Sequence, residues 1–255
     1  EEVTFMTKPI AVQIYSLREE IRQDYAGVLR QIAEAGYIGV EVLGEMPVPH
    51  QESARMLADF GLQATSAHCP LPLGDDESRV LDMAAAYGMK RLVIPWRPVE
   101  DFATVDSIKK TCDLLNEAAA VAAANGLELG YHNHWWECYT VDGRPAYQIM
   151  LEHLNPTVFF EVDVYWAKTA GVDPVAMLNE LGPRVPLLHV KDGPTTLEDP
   201  MVAVGQGKMD YPAIISVAQH TDWLIVELDR CATDMMTAVR ESFDYLVKAG
   251  LGHGR

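Results

Sequence analysis

Basic residues are scarce in this chain. Its 255 residues hold 20 Lys and Arg against 37 Asp and Glu, a formal net charge of −17. That field repels phosphate backbones and argues against extended nucleic-acid contact, although a local cationic cluster could still hold a small anion. Cysteine is sparse too. Cys69, Cys112, Cys138 and Cys231 lie far apart with no CxxC pair, so neither a disulfide framework nor a zinc knuckle is expected. No apolar run approaches the ~18 residues of a membrane span, so no membrane partner is expected. The opening EEVTFMTKPIAVQIYSL has no basic n-region and no long apolar h-region. It is not read as a signal peptide, and the expected location is cytoplasmic. There is no P-loop, GxSxG elbow, HExxH or dinucleotide fingerprint, and Gly205-Gln206-Gly207-Lys208 is too short to cradle a phosphate.

What is present is a regular alternation. Strand-like runs fall at about 10–15, 39–42, 63–67, 91–94, 127–131, 158–162, 185–189 and 223–228. A segment of helical character follows each. Asp24, Asp173 and Asp210 stand where N-caps belong, and Gly36, Gly61, Gly88, Gly126 and Gly250 where helices close. Eight βα units in about 250 residues predict a single (β/α)8 TIM barrel, an α/β fold spanning residues 1–255. A doubly wound sheet would carry a glycine-rich turn after the first strand, and QIYSLREE has none.

Four of the runs end in metal-type ligands: LELGYHNHWWE, VFFEVD, VPLLH and WLIVE. In a parallel barrel those ends converge on one face, which is where a divalent ion would be held. Asp163, His189 and Glu227 are the expected ligands, and Mn²⁺, Zn²⁺, Co²⁺ or Mg²⁺ would all suit such a set. After the fifth run, His132, His134 and Glu137 compete. One should complete the metal shell and another should be a general acid/base. Glu161 points the same way as Asp163 and reads as a supporting or ion-paired carboxylate. His68 and Glu41 end two earlier runs and could face substrate. Trp135 and Trp136 could stack on a sugar ring or simply pack, and Lys191 and Arg230 are the cations expected nearest the mouth.

The segments QIYSLRE, GYIGVEVLG, SAHCPL, LGYHNHWWE, FEVDVYWAKTAGVDP, LLHVKDG, GQGKMDY and WLIVELDR together resemble the sugar phosphate isomerase/epimerase superfamily of xylose isomerase-like barrels. The YHNHxxE form resembles one of its sub-branches. The resemblance implies one divalent ion held by Glu, Asp, His and Glu. Asp163, His189 and Glu227 match three positions. The fifth-strand glutamate of epimerase-type members reads here as His132, which leaves Glu137 to supply the carboxylate and His134 or His132 to move protons. Trp166 stands where some epimerases bind substrate with a histidine.

The expected activity is isomerisation or epimerisation of a sugar, keto-sugar or polyol through an enediolate, with Glu227 or His68 as a second acid/base group. A dehydratase or eliminating lyase is the alternative, and a non-catalytic sugar-binding subunit is a third reading. The superfamily's endonuclease branch conflicts with the −17 charge. A homo-oligomer is compatible with the sequence, but no segment locates an interface.

Overall fold

A computed structural model describes residues 7–255; the first six residues of the expected 1–255 domain lie outside the described residues. Eight parallel strands form the barrel: β1 Lys8–Gln13, β2 Gly39–Leu43, β3 Gln63–His68, β4 Arg91–Ile94, β5 Glu128–His132, β6 Phe159–Asp163, β7 Leu187–Val190 and β8 Trp223–Val226. Each pairs with the next. β8 returns to β1 through Ile10↔Leu224, Ala11↔Ile225 and Val12↔Val226, so the sheet closes without an edge. The eight principal helices are α1 Tyr25–Ala35, α2 His50–Asp59, α3 Glu77–Tyr87, α4 Val105–Ala124, α5 Ala146–His153, α6 Pro174–Leu181, α7 Tyr211–Val217 and α8 Met235–Lys248. No helix among the described residues is long and apolar enough to cross a membrane.

Local sequence sets these boundaries. Asp24, Asp173, Asp210 and Asp234 accept the backbone N–H of Gly27, Val175, Ala213 and Thr237 and so cap four helices. Gly36 ends α1 at φ 103°, a left-handed backbone that a side chain would strain. One element was not legible from spacing. A short helix, Val164–Thr169, follows β6 directly, with Asp163 as its N-cap.

Strand alternation sorts the residues into the barrel interior and the helix-facing layer. Ala11, Val93, Phe159, Leu187 and Ile225 make the apolar floor inside the barrel. Two residues further along the same strands the interior becomes polar: Gln13, Glu161, His189 and Glu227. The floor is tight. A Cβ on Gly130 would lie 2.1 Å from the Phe159 ring, so β5 is glycine where β6 brings its phenyl group across. Most other buried apolar residues fill the layer between the strands and the helices. The active face is therefore built on a rigid base, at the C-terminal ends of the strands.

Candidate metal centre and active site

The expected convergence occurs. One donor atom from each of His132, Asp163, His189 and Glu227 lies within 4.8 Å of the others. A second such group, His68, His132, Glu161 and His189, shares two of these residues. All six are buried. Two imidazoles and two carboxylates form a donor set that fits a divalent ion. A buried oxygen without a hydrogen-bond partner, Glu161 Oε1, belongs to the second group and supports the fit.

His189 is the hub. Its Nδ1 lies 2.9 Å from Glu227 Oε2, and its Nε2 lies 2.8 Å from Glu41 Oε2 and 3.1 Å from Glu161 Oε2. Burial works against its charge, but Glu161, Glu41 and Glu227 overcome that and hold its pKa well above the usual imidazole range. Glu41 was expected to face substrate. It is instead fully buried behind His189, where Gln13 Nε2 and Ser66 Oγ donate to it at 2.7 and 2.5 Å. Glu161 accepts from His68 at 2.6 Å and, despite burial, is kept well below the usual carboxylate range by His189 and His68.

The fifth-strand ambiguity resolves by alternation. His132 points inward. Its Nδ1 is 3.1 Å from Glu161 and its Nε2 3.9 Å from Asp163 Oδ2. Burial, then the neighbouring His189, lowers its pKa to about 3, so it is a neutral imidazole suited to ligation. Glu137 does not reach the metal-type cluster. The chain does turn back at Trp136–Cys138, but the Glu137 carboxylate meets Tyr131, the residue of β5 that points away from the barrel interior. Tyr131 OH donates to it at 2.6 Å and the His134 backbone N–H at 2.9 Å. Burial raises its pKa to about 7. It lies outside both donor groups and holds the His134 backbone.

His134 faces a cavity of about 670 Å³ that His132, Glu227, Trp135 and Trp166 also line. Its ring stacks on Trp136, 4.6 Å between centroids and 2° between planes. Trp136 thus lies behind His134 and outside the cavity lining, whereas Trp135 takes the wall position. Trp166, 2 % exposed, reaches the same cavity and packs on Trp135 at 4.8 Å. Burial and the nearby His132 and Lys191 push the His134 pKa well below its usual value, leaving a neutral ring with an unpartnered Nδ1.

Lys191 is not a cation of the outer mouth. It is 1 % exposed, with Nζ 3.0 Å from Asp163 Oδ2, 2.6 Å from Glu227 Oε2 and 3.1 Å from Asp229 Oδ2. It offsets the charge of these three carboxylates. Burial opposes ionisation of Glu227, yet Lys191 and His189 keep it well below the usual range, which suits ligation better than proton donation. Arg230 does line the cavity, though its guanidinium already donates to the Asp199 and Leu197 carbonyls. His68 also reaches the cavity.

Sequence reasoning passed over Gln13, Ser66 and Asp229. Asn133 locks β5 to β6, its Oδ1 accepting from Asp163 N at 3.0 Å and its Nδ2 donating to Asp163 O at 3.2 Å. The inward alternation of Gln13 after Ala11 was the one available signal.

The chain belongs to the xylose isomerase-like TIM barrel family, which it matches over residues 29–249. No curated protein matches it in sequence. Among solved structures it is similar to a sugar phosphate isomerase/epimerase from Parabacteroides distasonis, with 26 % identity, TM-score 0.83, and 98 % of this chain and 97 % of that one covered. It also shares its fold with the IOLI protein, solved with a zinc atom (16 % identity, TM-score 0.74, 95 % and 97 % covered). The 3-keto-D-glucoside 4-epimerase YcjR of E. coli is a further fold relative (20 % identity, TM-score 0.70, 94 % and 99 % covered).

Proposed function

We propose that this protein is a divalent-metal-dependent isomerase or epimerase of a sugar, keto-sugar or related polyol. The observation that carries the reading is the meeting of His132, Asp163, His189 and Glu227 beside a cavity that His134 also lines. The names of structurally similar proteins support it. Asp163, His189, Glu227 and His132 would hold the ion. When bound, the ion would draw electron density from a substrate carbonyl and neighbouring hydroxyl and so acidify the adjacent C–H.

The protein's own residues do the rest. His134 has an unpartnered Nδ1, is fixed in plane by Trp136 and is held at its backbone by Glu137, which places it to accept the carbon-bound proton. Return of the proton to the neighbouring carbon isomerises the sugar; return to the opposite face of the same carbon epimerises it. Trp135 and Trp166 exclude water and offer apolar faces to the ring. His68, linked to Glu161, is the second group available for proton transfer at the cavity wall.

The test is incubation of Mn²⁺-loaded protein with a panel of ketoses, keto-sugars and inososes in D₂O, followed by NMR. Deuterium incorporation with an intact carbon framework is expected. Loss of water or of an aglycone would replace the reading with a lyase, and absence of exchange across the panel would contradict proton-transfer catalysis.

A further inference from the structure

Lys191 stands among the residues that would hold the ion. It comes two residues after His189, just past the end of β7. It is 1 % exposed, and an ammonium is rarely buried to that degree unless it is paired. Its Nζ lies 2.6 Å from Glu227 Oε2, 3.0 Å from Asp163 Oδ2 and 3.1 Å from Asp229 Oδ2. Glu227 and Asp163 belong to the donor group, and Asp229 does not. Asp229 lines the cavity that His134 faces, whereas Lys191 is not among its lining residues. The ammonium is thus aimed at the ligand carboxylates and not at substrate.

It meets the ligand oxygens themselves. Asp163 Oδ1 accepts from the Trp166 N–H at 2.9 Å, so Oδ2 is the oxygen left for an ion, and Oδ2 is the one that faces Lys191. Glu227 Oε2 is shared between Lys191 and His189 Nδ1, which lies 2.9 Å away. An ion bound to Asp163 Oδ2 at about 2.1 Å would therefore come within about 5 Å of Nζ. Two cations that close in a buried site repel strongly. The backbone at Lys191 is pinned. Tyr211 OH donates to the Lys191 carbonyl, and the next residue, Asp192, accepts the N–H groups of Gly193, Gly205 and Met209 at 2.8, 2.9 and 3.1 Å. Adjustment falls to the side chain, and Asp229 is the one of its three carboxylate partners outside the donor group.

We propose that Lys191 sets the metal affinity of this site by competing with the ion for Asp163 and Glu227. In the metal-free protein its ammonium neutralises the two carboxylates and holds them together. When an ion binds, the ammonium gives up that role, keeps its charge and is retained by Asp229. The ion is therefore held more weakly than the same four donors alone would hold it, and the metal-free barrel stays folded. This rests on the divalent-metal reading above and adds to it a resident competitor.

The experiment is calorimetric titration of the metal-free full chain with Mn²⁺ at fixed pH, for wild type, Lys191→Met and the double variant Lys191→Met/Asp229→Asn. The double variant removes one charge of each sign, so its net charge matches wild type. Both variants should bind one Mn²⁺ about tenfold tighter than wild type or more. Urea unfolding supplies the second readout. Lys191→Met should be less stable than wild type without metal, and saturating Mn²⁺ should narrow the gap. A Lys191→Met chain that fails to fold alone should fold in excess Mn²⁺, and the double variant then carries the affinity comparison. Equal or weaker affinity in the variants, or a Lys191→Met chain that stays unfolded in Mn²⁺, overturns the competitor while the metal reading stands. If neither wild type nor either variant binds Mn²⁺, the metal reading falls with it.

Discussion

His189 Nε2 lies 2.8 Å from Glu41 Oε2, and both side chains are fully buried. The carboxylate fixes the ring so that Nδ1 faces Glu227, on the side where Asp163 and Lys191 also meet. A carboxylate behind a ligand imidazole sets its tautomer and strengthens it as a ligand. Glu41→Ala should therefore weaken Mn²⁺ binding by about 10–100-fold. Glu41→Gln, which keeps an acceptor, should recover part of the loss. Titration calorimetry checks this, and unchanged affinity in Glu41→Ala would show that the ring is oriented by other groups.

Without metal, His189 is protonated and surrounded by three carboxylates. Ligation needs a bare nitrogen, so metal uptake at neutral pH should expel about one proton. Titrations in two buffers of different ionisation heat report that proton directly. Identical apparent enthalpies would mean that His189 is not the ligand.

Asp163→Asn and His189→Gln should lose stoichiometric metal while retaining the far-ultraviolet circular dichroism of the barrel. Both substitutions keep a polar atom beside the buried partners, which limits the number of hydrogen bonds lost. His134→Ala should keep the metal and slow solvent exchange of the substrate proton by about 100-fold or more. Loss of metal in His134→Ala would make His134 a ligand instead of a base.

Glu137 gives a pH signature. Burial raises its carboxyl from 4.5 to about 7 in the folded protein. The folded state thus holds the proton more tightly than the unfolded state does. Its contribution is full below about pH 4.5 and is lost as pH rises through about 7. Glu137→Gln can still accept from His134 N–H, and the Tyr131 hydroxyl can turn to accept from the amide. The variant should gain stability relative to wild type across that window, measured by urea unfolding at several pH values. A constant difference between the two would contradict this assignment.

Gly130→Ala tests the floor beneath the site. Its methyl group would meet the Phe159 ring at 2.1 Å. Overpacking of this kind costs about 1–3 kcal/mol, which chemical denaturation would detect.

Much of this architecture is readable from the chain because alternation and capping are local. Asp24, Asp173 and Asp210 announce helix starts, and apolar runs ending in Asp163, His189 and Glu227 announce the active face. What was not readable depended on direction rather than type. Glu41 looks like any strand-end carboxylate until β2 and β7 place it against His189. Glu137 is five residues beyond the strand end, and only the outward face of Tyr131 decides that it misses the cluster. Lys191 sits next to a strand end, as a mouth cation would, yet three carboxylates draw it inside.

The central claim is that the mouth of the barrel holds one divalent ion on Asp163, His189 and Glu227, with His132 beside it. The most direct measurement is an anomalous difference map from a crystal of the Mn²⁺-loaded protein. A single peak within ligand distance of those residues is the predicted result. A peak confined to His68 and Glu161, or no peak at all, would contradict it.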